Sequence, residues 1–271
     1  MLIDTHAHLW WPSYESDLEQ VMERAKAAGV EKIIVPGTSV ESSKQAVELA
    51  NKYSGLIYAA VGVHPEEVVT SSGNSKSQIP NSKQIQNLEI LIEKNRALVV
   101  AVGEVGIDLY TEELREKLSE QKELLRVQCE LAVEMDLPII VHTRQSLGET
   151  LAVFDKLPKM PRGQFHCFSH DEVGLKEVLS RGFYVSFCGN VSWSKRVKKL
   201  VPLVPTDKLL LETDSPLMMP RNKGGETIEP TLRNEPKNVR MLATLQAELR
   251  GVPGEQLARD TTVNTHRLFK L

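Results

Sequence analysis

Leu98-Val99-Val100-Ala101-Val102-Gly103-Glu104 is a continuous apolar run that stops at a carboxylate. A strand with one wet face alternates apolar and polar residues, whereas a strand covered on both faces does not. The run is therefore predicted as a parallel strand buried between helices. Similar apolar, β-branched runs lie at residues 2–5, 32–36, 57–61, 138–141, 164–166, 183–187 and 208–212, which makes eight. Amphipathic stretches separate them. Residues 16–28 carry Leu18, Val21, Met22 and Ala25 at helical spacing. Further helices are predicted at 42–53, 83–94, 111–135, 147–156, 173–181, 195–204, 236–250 and 255–271. Gly29 and Gly182 follow two of these in the C-cap manner.

Eight strands alternating with helices over 271 residues predict one (β/α)8 TIM barrel, an α/β fold that typically takes about 250 residues. The whole chain, 1–271, reads as a single domain. An open doubly wound sheet is the competing topology, but no GxGxxG follows the first strand. Residues 70–86, polar and rich in Ser and Asn, are expected to form a long βα loop.

Apolar residues make up 41% of the chain and charged residues 25%, so a globular core is well supplied. The net charge of −3 excludes a global basic field for nucleic acid but leaves room for a few phosphate contacts. Cys129, Cys167 and Cys188 form no CxxC and are expected to be unpaired, as in a reducing compartment. The chain opens directly on a strand and has no apolar run of the roughly 18 residues a membrane span needs. The expectation is a cytoplasmic protein with no membrane and no obligate protein partner.

In such a barrel, functional side chains gather at the C-terminal strand ends. Those ends carry His6 and His8, His64, Glu104, His142, His166 and Asp214, which takes five of the seven histidines. In His6-x-His8 both imidazoles point the same way, because side chains two apart in a strand share a face. Any one of these residues alone reads as structural. Together, buried carboxylates and imidazoles on one mouth require a compensating cation. His6, His8, Glu104, His142, His166 and Asp214 suit two divalent ions bridged by a carboxylate, either Glu104 or Asp214. Imidazole-rich ligation favours Zn, Mn, Fe or Ni over Mg.

The motifs DTHAH (4–8), GVHP (62–65), GEVGID (103–108), PIIVHTR (138–144), FHCFS (165–169), LLLETDSP (209–216) and LRNEP (232–236) occur in this order. In this set the chain resembles the TatD family of metal-dependent deoxyribonucleases, within the amidohydrolase-like barrels. The resemblance implies two divalent metal ions per subunit, drawn from Mg, Mn or Zn. It implies that His6, His8 and Asp214 bind one ion, that His142 and His166 bind the other, and that Glu104 bridges. Asp214 would orient or deprotonate the attacking water. His64 and Arg144 would face the substrate and hold a phosphate. The implied reaction is exonucleolytic cleavage of phosphodiester bonds at a DNA strand end.

His170 stands where the family usually has Gly and is expected on the surface or rim. Glu212 shares a strand face with Asp214, as either a supporting partner or a buried structural acid. Asn234 and Glu235 are expected to brace the closing loop, and His266 to be structural. Trp10, Trp11 and Trp193 read first as rim packing and second as base-stacking platforms. Lys195, Arg196, Lys198 and Lys199 read as a solvated basic face. Two other functions compete: hydrolysis of a small amide, lactone or phosphoester, and a non-catalytic scaffold.

Overall fold

A computed structural model describes residues 1–70, 82–222, 226–227 and 233–271. Its eight strands are β1 (Leu2–Asp4), β2 (Val30–Pro36), β3 (Ile57–Val61), β4 (Val99–Asp108), β5 (Ile139–Arg144), β6 (Gly163–Phe165), β7 (Tyr184–Phe187) and β8 (Leu209–Leu211). They form one parallel sheet in sequence order. Just past the ends of β8 and β1 the ring is drawn together. The Thr5 N–H donates to the Leu211 carbonyl at 2.9 Å, the Asp214 N–H donates to the His6 carbonyl at 2.8 Å, and Ala7 bridges Ser215. The fold is the (β/α)8 barrel that the alternating pattern predicts.

Side-chain alternation divides the apolar residues of β2, β3, β4, β5, β7 and β8 between two cores. Ile33 and Val35 of β2 join the large cluster beneath the helices, with Val21, Leu88 and Leu125. Ile34 joins Ala60, Ala101, Ile140 and Leu210 in a smaller cluster that also takes Leu268 and Phe269. Both sets are buried, which explains why the strands read as unbroken apolar runs.

The larger departures from the predicted boundaries have physical causes. Strand β4 runs on to Asp108, past Gly103 and Gly106, which interrupt the apolar signal. The helix predicted over 111–135 is two helices, Glu112–Glu116 and Leu118–Glu134. Gln121 accounts for the break: its amide donates to the Leu114 carbonyl at 2.7 Å and to the Asp108 carbonyl at 3.1 Å. The helix predicted over 195–204 stops at Leu200 and tightens into a 3-10 turn, Val201–Leu203, because Pro202 has no N–H to donate. Helix Ser82–Lys94 begins inside the predicted long loop, and the loop's centre, residues 71–81, lies outside the described residues. No helix among the described residues is long and apolar enough to cross a membrane.

One cysteine expectation is corrected. Cys167 and Cys188 are joined as a disulfide, and only Cys129 is free. They are 21 residues apart in sequence, but the neighbouring strands β6 and β7 bring their Cα atoms to 5.0 Å. Cysteine usage therefore gives no argument for a reducing compartment.

Candidate metal centre at the barrel mouth

Each strand end delivers its residues by its own local device. At the end of β1, Asp4 is fully buried and works as a clamp. Its Oδ1 accepts from the His6 N–H at 3.2 Å and the Thr213 N–H at 2.9 Å, and its Oδ2 accepts from the Thr213 hydroxyl at 2.6 Å. The clamp fixes His6 relative to the segment that carries Asp214. Asp214 itself holds a left-handed backbone, φ 57°, a conformation that costs a non-glycine residue free energy and is common at functional sites. At β4, Gly106 lets β5 come close: a Cβ there would lie 1.9 Å from the His142 carbonyl oxygen.

Glu104 is the hub. Its Oε2 faces His6 Nε2 at 3.3 Å and His8 Nε2 at 3.5 Å. Its Oε1 faces His166 Nε2 at 2.8 Å, His142 Nδ1 at 2.9 Å and His64 Nε2 at 3.5 Å. Asp214 Oδ1 stands 3.6 Å from His8 Nε2 and 3.7 Å from His6 Nε2. The two carboxylates and five imidazoles singled out by sequence therefore converge. Their ligand atoms include two sets close enough to share an ion, His6 with His8 and Asp214, and His64 with Glu104 and His142. His64 sits in the cluster beside Glu104. Arg144 lies at the exposed rim, its guanidinium 3.5 Å above the Tyr110 ring.

The electrostatics depend on which charges surround each ring. Burial, with His166 nearby, lowers His6 to about 4, so its ring is neutral. Burial also opposes charge on His142, but hydrogen bonds with Asp108 and Glu104 outweigh it and raise that ring to about 10. Burial would raise Glu104, yet the surrounding His166, His6 and His64 hold it well below the usual carboxylate range. Asp214 is likewise lowered despite burial, through its hydrogen bond with His8 and the neighbouring imidazoles. Both carboxylates are therefore ionised near neutral pH.

The residues present fit divalent ions. His6 and His8 aim their Nε2 atoms at each other from 3.1 Å, and the buried Nδ1 atoms of His6 and His166 have no hydrogen-bond partner. A cation set between nitrogen lone pairs and two ionised carboxylates relieves both the lone-pair opposition and the buried negative charge. The cysteine-containing cluster, Cys167 with Cys188 and Glu212, is different, because its sulfurs are already bonded to each other.

The surroundings contain one functional residue that the strand-end reading passed over. Asp108 Oδ2 lies 3.0 Å from His142 Nε2, on the far side of the ring from Glu104. Such a carboxylate behind a ligating imidazole fixes the ring and raises its basicity. Its signal was present: Glu104, Gly106 and Asp108 follow at intervals of two along one strand. Glu212 takes the supporting role. It is fully buried, accepts from Gln164 at 3.0 Å, from Ser186 at 2.8 Å and from the Cys167 N–H, and lies 3.9 Å from His166 Nδ1.

The remaining sequence expectations fall on the rim and the braces. His170 is half-buried, 2.9 Å from the Thr143 hydroxyl and edge-on to Phe168. Asn234 donates to the carbonyls of Thr213 at 3.0 Å and Leu217 at 2.8 Å, holding the segment around Asp214. Glu235 pairs with Arg24 at 2.7 Å. His266 Nδ1 meets the Leu271 carbonyl at 2.7 Å, away from the mouth. Trp10, Trp11 and Trp193 all line a cavity of about 570 Å³ that opens directly over Glu104, His142 and Asp214.

Comparison with known proteins agrees with this geometry. Residues 3–270 match the family described as TatD related DNase. The chain is 36% identical over 274 residues to the uncharacterized metal-dependent hydrolase YabD of Bacillus subtilis (strain 168), covering 100% of both. It is 32% identical to the 3'-5' ssDNA/RNA exonuclease TatD of Erwinia billingiae (strain Eb661), covering 100% of this chain and 99% of that one. Among solved structures, the TatD homologue YjjV of Escherichia coli K12 superposes with a TM-score of 0.86 at 30% identity, covering 100% of this chain and 98% of that one.

Proposed function

The chain belongs to the TatD related DNase family of metal-dependent hydrolases, and from that premise we propose that it is a single-domain exonuclease that cleaves the terminal phosphodiester bonds of DNA. The observation that carries the proposal is Glu104, whose two oxygens face two separate groups of imidazoles at the floor of an open cavity. We assign His6, His8 and Asp214 to one divalent ion, His142 and His166 to a second, and Glu104 to both. Mg, Mn and Zn are the candidates, and the nitrogen-rich donor set favours Mn or Zn. When bound, such ions polarise a phosphoryl oxygen and acidify water.

The chain's own groups do the rest. Asp214, ionised and lining the cavity, orients the attacking water and accepts its proton at Oδ2, leaving Oδ1, the oxygen that faces His6 and His8, for the ion. Glu104 stays ionised throughout, because the imidazoles around it favour its charge. His64 and Arg144 approach the cavity from floor and rim, and we assign the substrate phosphate to them. Arg144 suits this through its planar fork, already oriented by Tyr110. Cleavage from an end is the reading that relatives named 3'-5' ssDNA/RNA exonuclease support. The cytoplasm is the proposed location, where nucleic acid is at hand.

The test is digestion of end-labelled single- and double-stranded DNA and RNA by protein stripped with a chelator and reloaded with Mg, Mn or Zn. Activity on DNA should vanish on stripping and return on reloading. His142→Ala should lose bound metal and rate together. Full nuclease activity in that variant would overturn the assignment, and cleavage of amide or lactone substrates alone would overturn the substrate class.

A further inference from the structure

The mouth is electrically lopsided. On one side Arg144 and Arg196 line the cavity; they, the lysines Lys195, Lys198 and Lys199 of the helix that carries Arg196, and Arg221 beside Trp193 have no carboxylate within 4.0 Å among the described residues. Elsewhere on the surface, cations are commonly matched: Arg24, Arg126, Arg162, Arg181 and Arg233 each hold an acid. In a chain with a net charge of −3, such a concentration is a local feature. The opposite side of the same cavity carries Glu66, and the groove beyond Trp11 adds Glu15 and Glu48. A polyanion meets attraction along one wall and repulsion along the other.

The basic wall also has a stacking surface. Trp193 lines the cavity, and the Arg221 guanidinium lies 5.2 Å from its ring centroid. The Arg221 N–H donates to the Ser192 hydroxyl at 2.8 Å, which pins the backbone beneath that pair. Arg196 lines the cavity beside it, held by a 2.6 Å hydrogen bond to the Ser169 carbonyl. That acceptor is neutral, so the guanidinium keeps its charge for another partner. Its field is felt locally: after burial, Arg196 is the next cause lowering His170. Across the mouth, Trp10 spends its N–H on the Pro36 carbonyl at 2.7 Å and lies tilted against Trp11, ring centroids 6.1 Å apart, in a groove with Glu15 and Glu48.

We propose that the Trp193–Arg196–Arg221 wall is the track by which a single-stranded nucleic acid leaves the mouth, with one base stacked on the indole and the flanking phosphates on the two guanidiniums. A base stacks on an aromatic face whatever its identity, and arginine adds charge at that face. The track therefore binds without reading sequence, and it requires an unpaired strand. It rests on the phosphodiesterase reading above and adds the path of the nucleotides that are not being cut.

The experiment uses the metal-loaded enzyme and three variants, Trp193→Ala, Arg196→Ala/Arg221→Ala and Arg221→Glu. Both arginines are exposed, so the two arginine variants should fold even if Trp193→Ala does not. Two substrates are compared, single-stranded DNA several nucleotides long and the small diester bis(p-nitrophenyl) phosphate. The ratio of kcat/KM for the oligonucleotide to that for the diester should fall by about tenfold or more in each variant. The salt dependence of the oligonucleotide's KM should flatten by about 1.4 log units per log unit in the double variant, from about 0.7 per phosphate contact. An unchanged ratio, or an unchanged salt slope, overturns the track. A wild-type enzyme that cleaves neither substrate refutes the phosphodiesterase reading instead. Binding of a fluorescein-labelled oligonucleotide then decides: weaker binding by the variants keeps the track, and equal binding overturns it.

Discussion

The two sides of Glu104 are built on opposite electrostatic plans. On the Oε2 side, His6 is fully buried and lowered to about 4, and Asp4 behind it touches the backbone but not the ring. On the Oε1 side, His142 is held between two carboxylates, Glu104 at 2.9 Å and Asp108 at 3.0 Å, and is raised to about 10. The first side offers a nitrogen lone pair without cost. The second carries a proton that balances the carboxylates, and an ion bound there would have to displace it. Identical residue types thus differ in readiness because one ring is braced through its backbone and the other through its charge.

Removing the shared oxygen pair is the largest perturbation. Glu104→Ala should abolish ion binding on both sides and lower the rate by more than the roughly 100-fold that loss of an outer partner costs at most. Loss of one ion only, by elemental analysis, would break the idea of a common hub. Asp108→Asn should act on the His142 side alone, costing about 10–100-fold in affinity or rate. If the variant loses both ions equally, the two sides are not separable.

Acidity gives the next contrast. An ion at His142 must release a proton at neutral pH, so its apparent affinity should rise about tenfold per pH unit. Metal titrations at several pH values should show this steep dependence for one ion, with no proton contributed by His6. Equal slopes tied to both rings would remove the distinction. The same ring sets a stability window in the metal-free protein. A value raised from 6.5 to about 10 stabilises the fold fully below pH 6.5, and the contribution is lost as pH climbs to about 10. The denaturation midpoint of the chelated protein should fall over that interval. The smallest effect is expected for Asp4→Asn, where an amide can replace most of the clamp's hydrogen bonds. A cost of about 1 kcal/mol in denaturant unfolding is expected. A much larger cost would mean that the Asp4 charge itself is needed.

Sequence gave away those parts of this centre that follow from local rules. Parallel strands buried on both faces had to read as apolar runs, and a barrel places their C-terminal ends at one mouth, so His6, His8, His64, Glu104, His142, His166 and Asp214 were visible together. Asp108 was not, because Gly103 and Gly106 truncated the apparent strand at Val102. Asp4 was hidden for another reason: an acid that caps backbone N–H groups looks like any acid in an apolar run until its partner, Thr213, is known. The Cys167–Cys188 pairing and the asymmetry of the rim share that character. Both depend on which strand neighbours which, and spacing along the chain carries no trace of it.

The joining of the barrel's first and last strands has a consequence in time. His6 and His8 leave the ribosome more than two hundred residues ahead of Thr213 and Asp214, which clamp and complete their side of the pocket. A nascent chain displays the paired imidazoles throughout the synthesis of those intervening residues without possessing the pocket. Ring closure therefore works as a completeness check, because a polypeptide interrupted before its eighth strand lacks Asp214 and with it one side of the site.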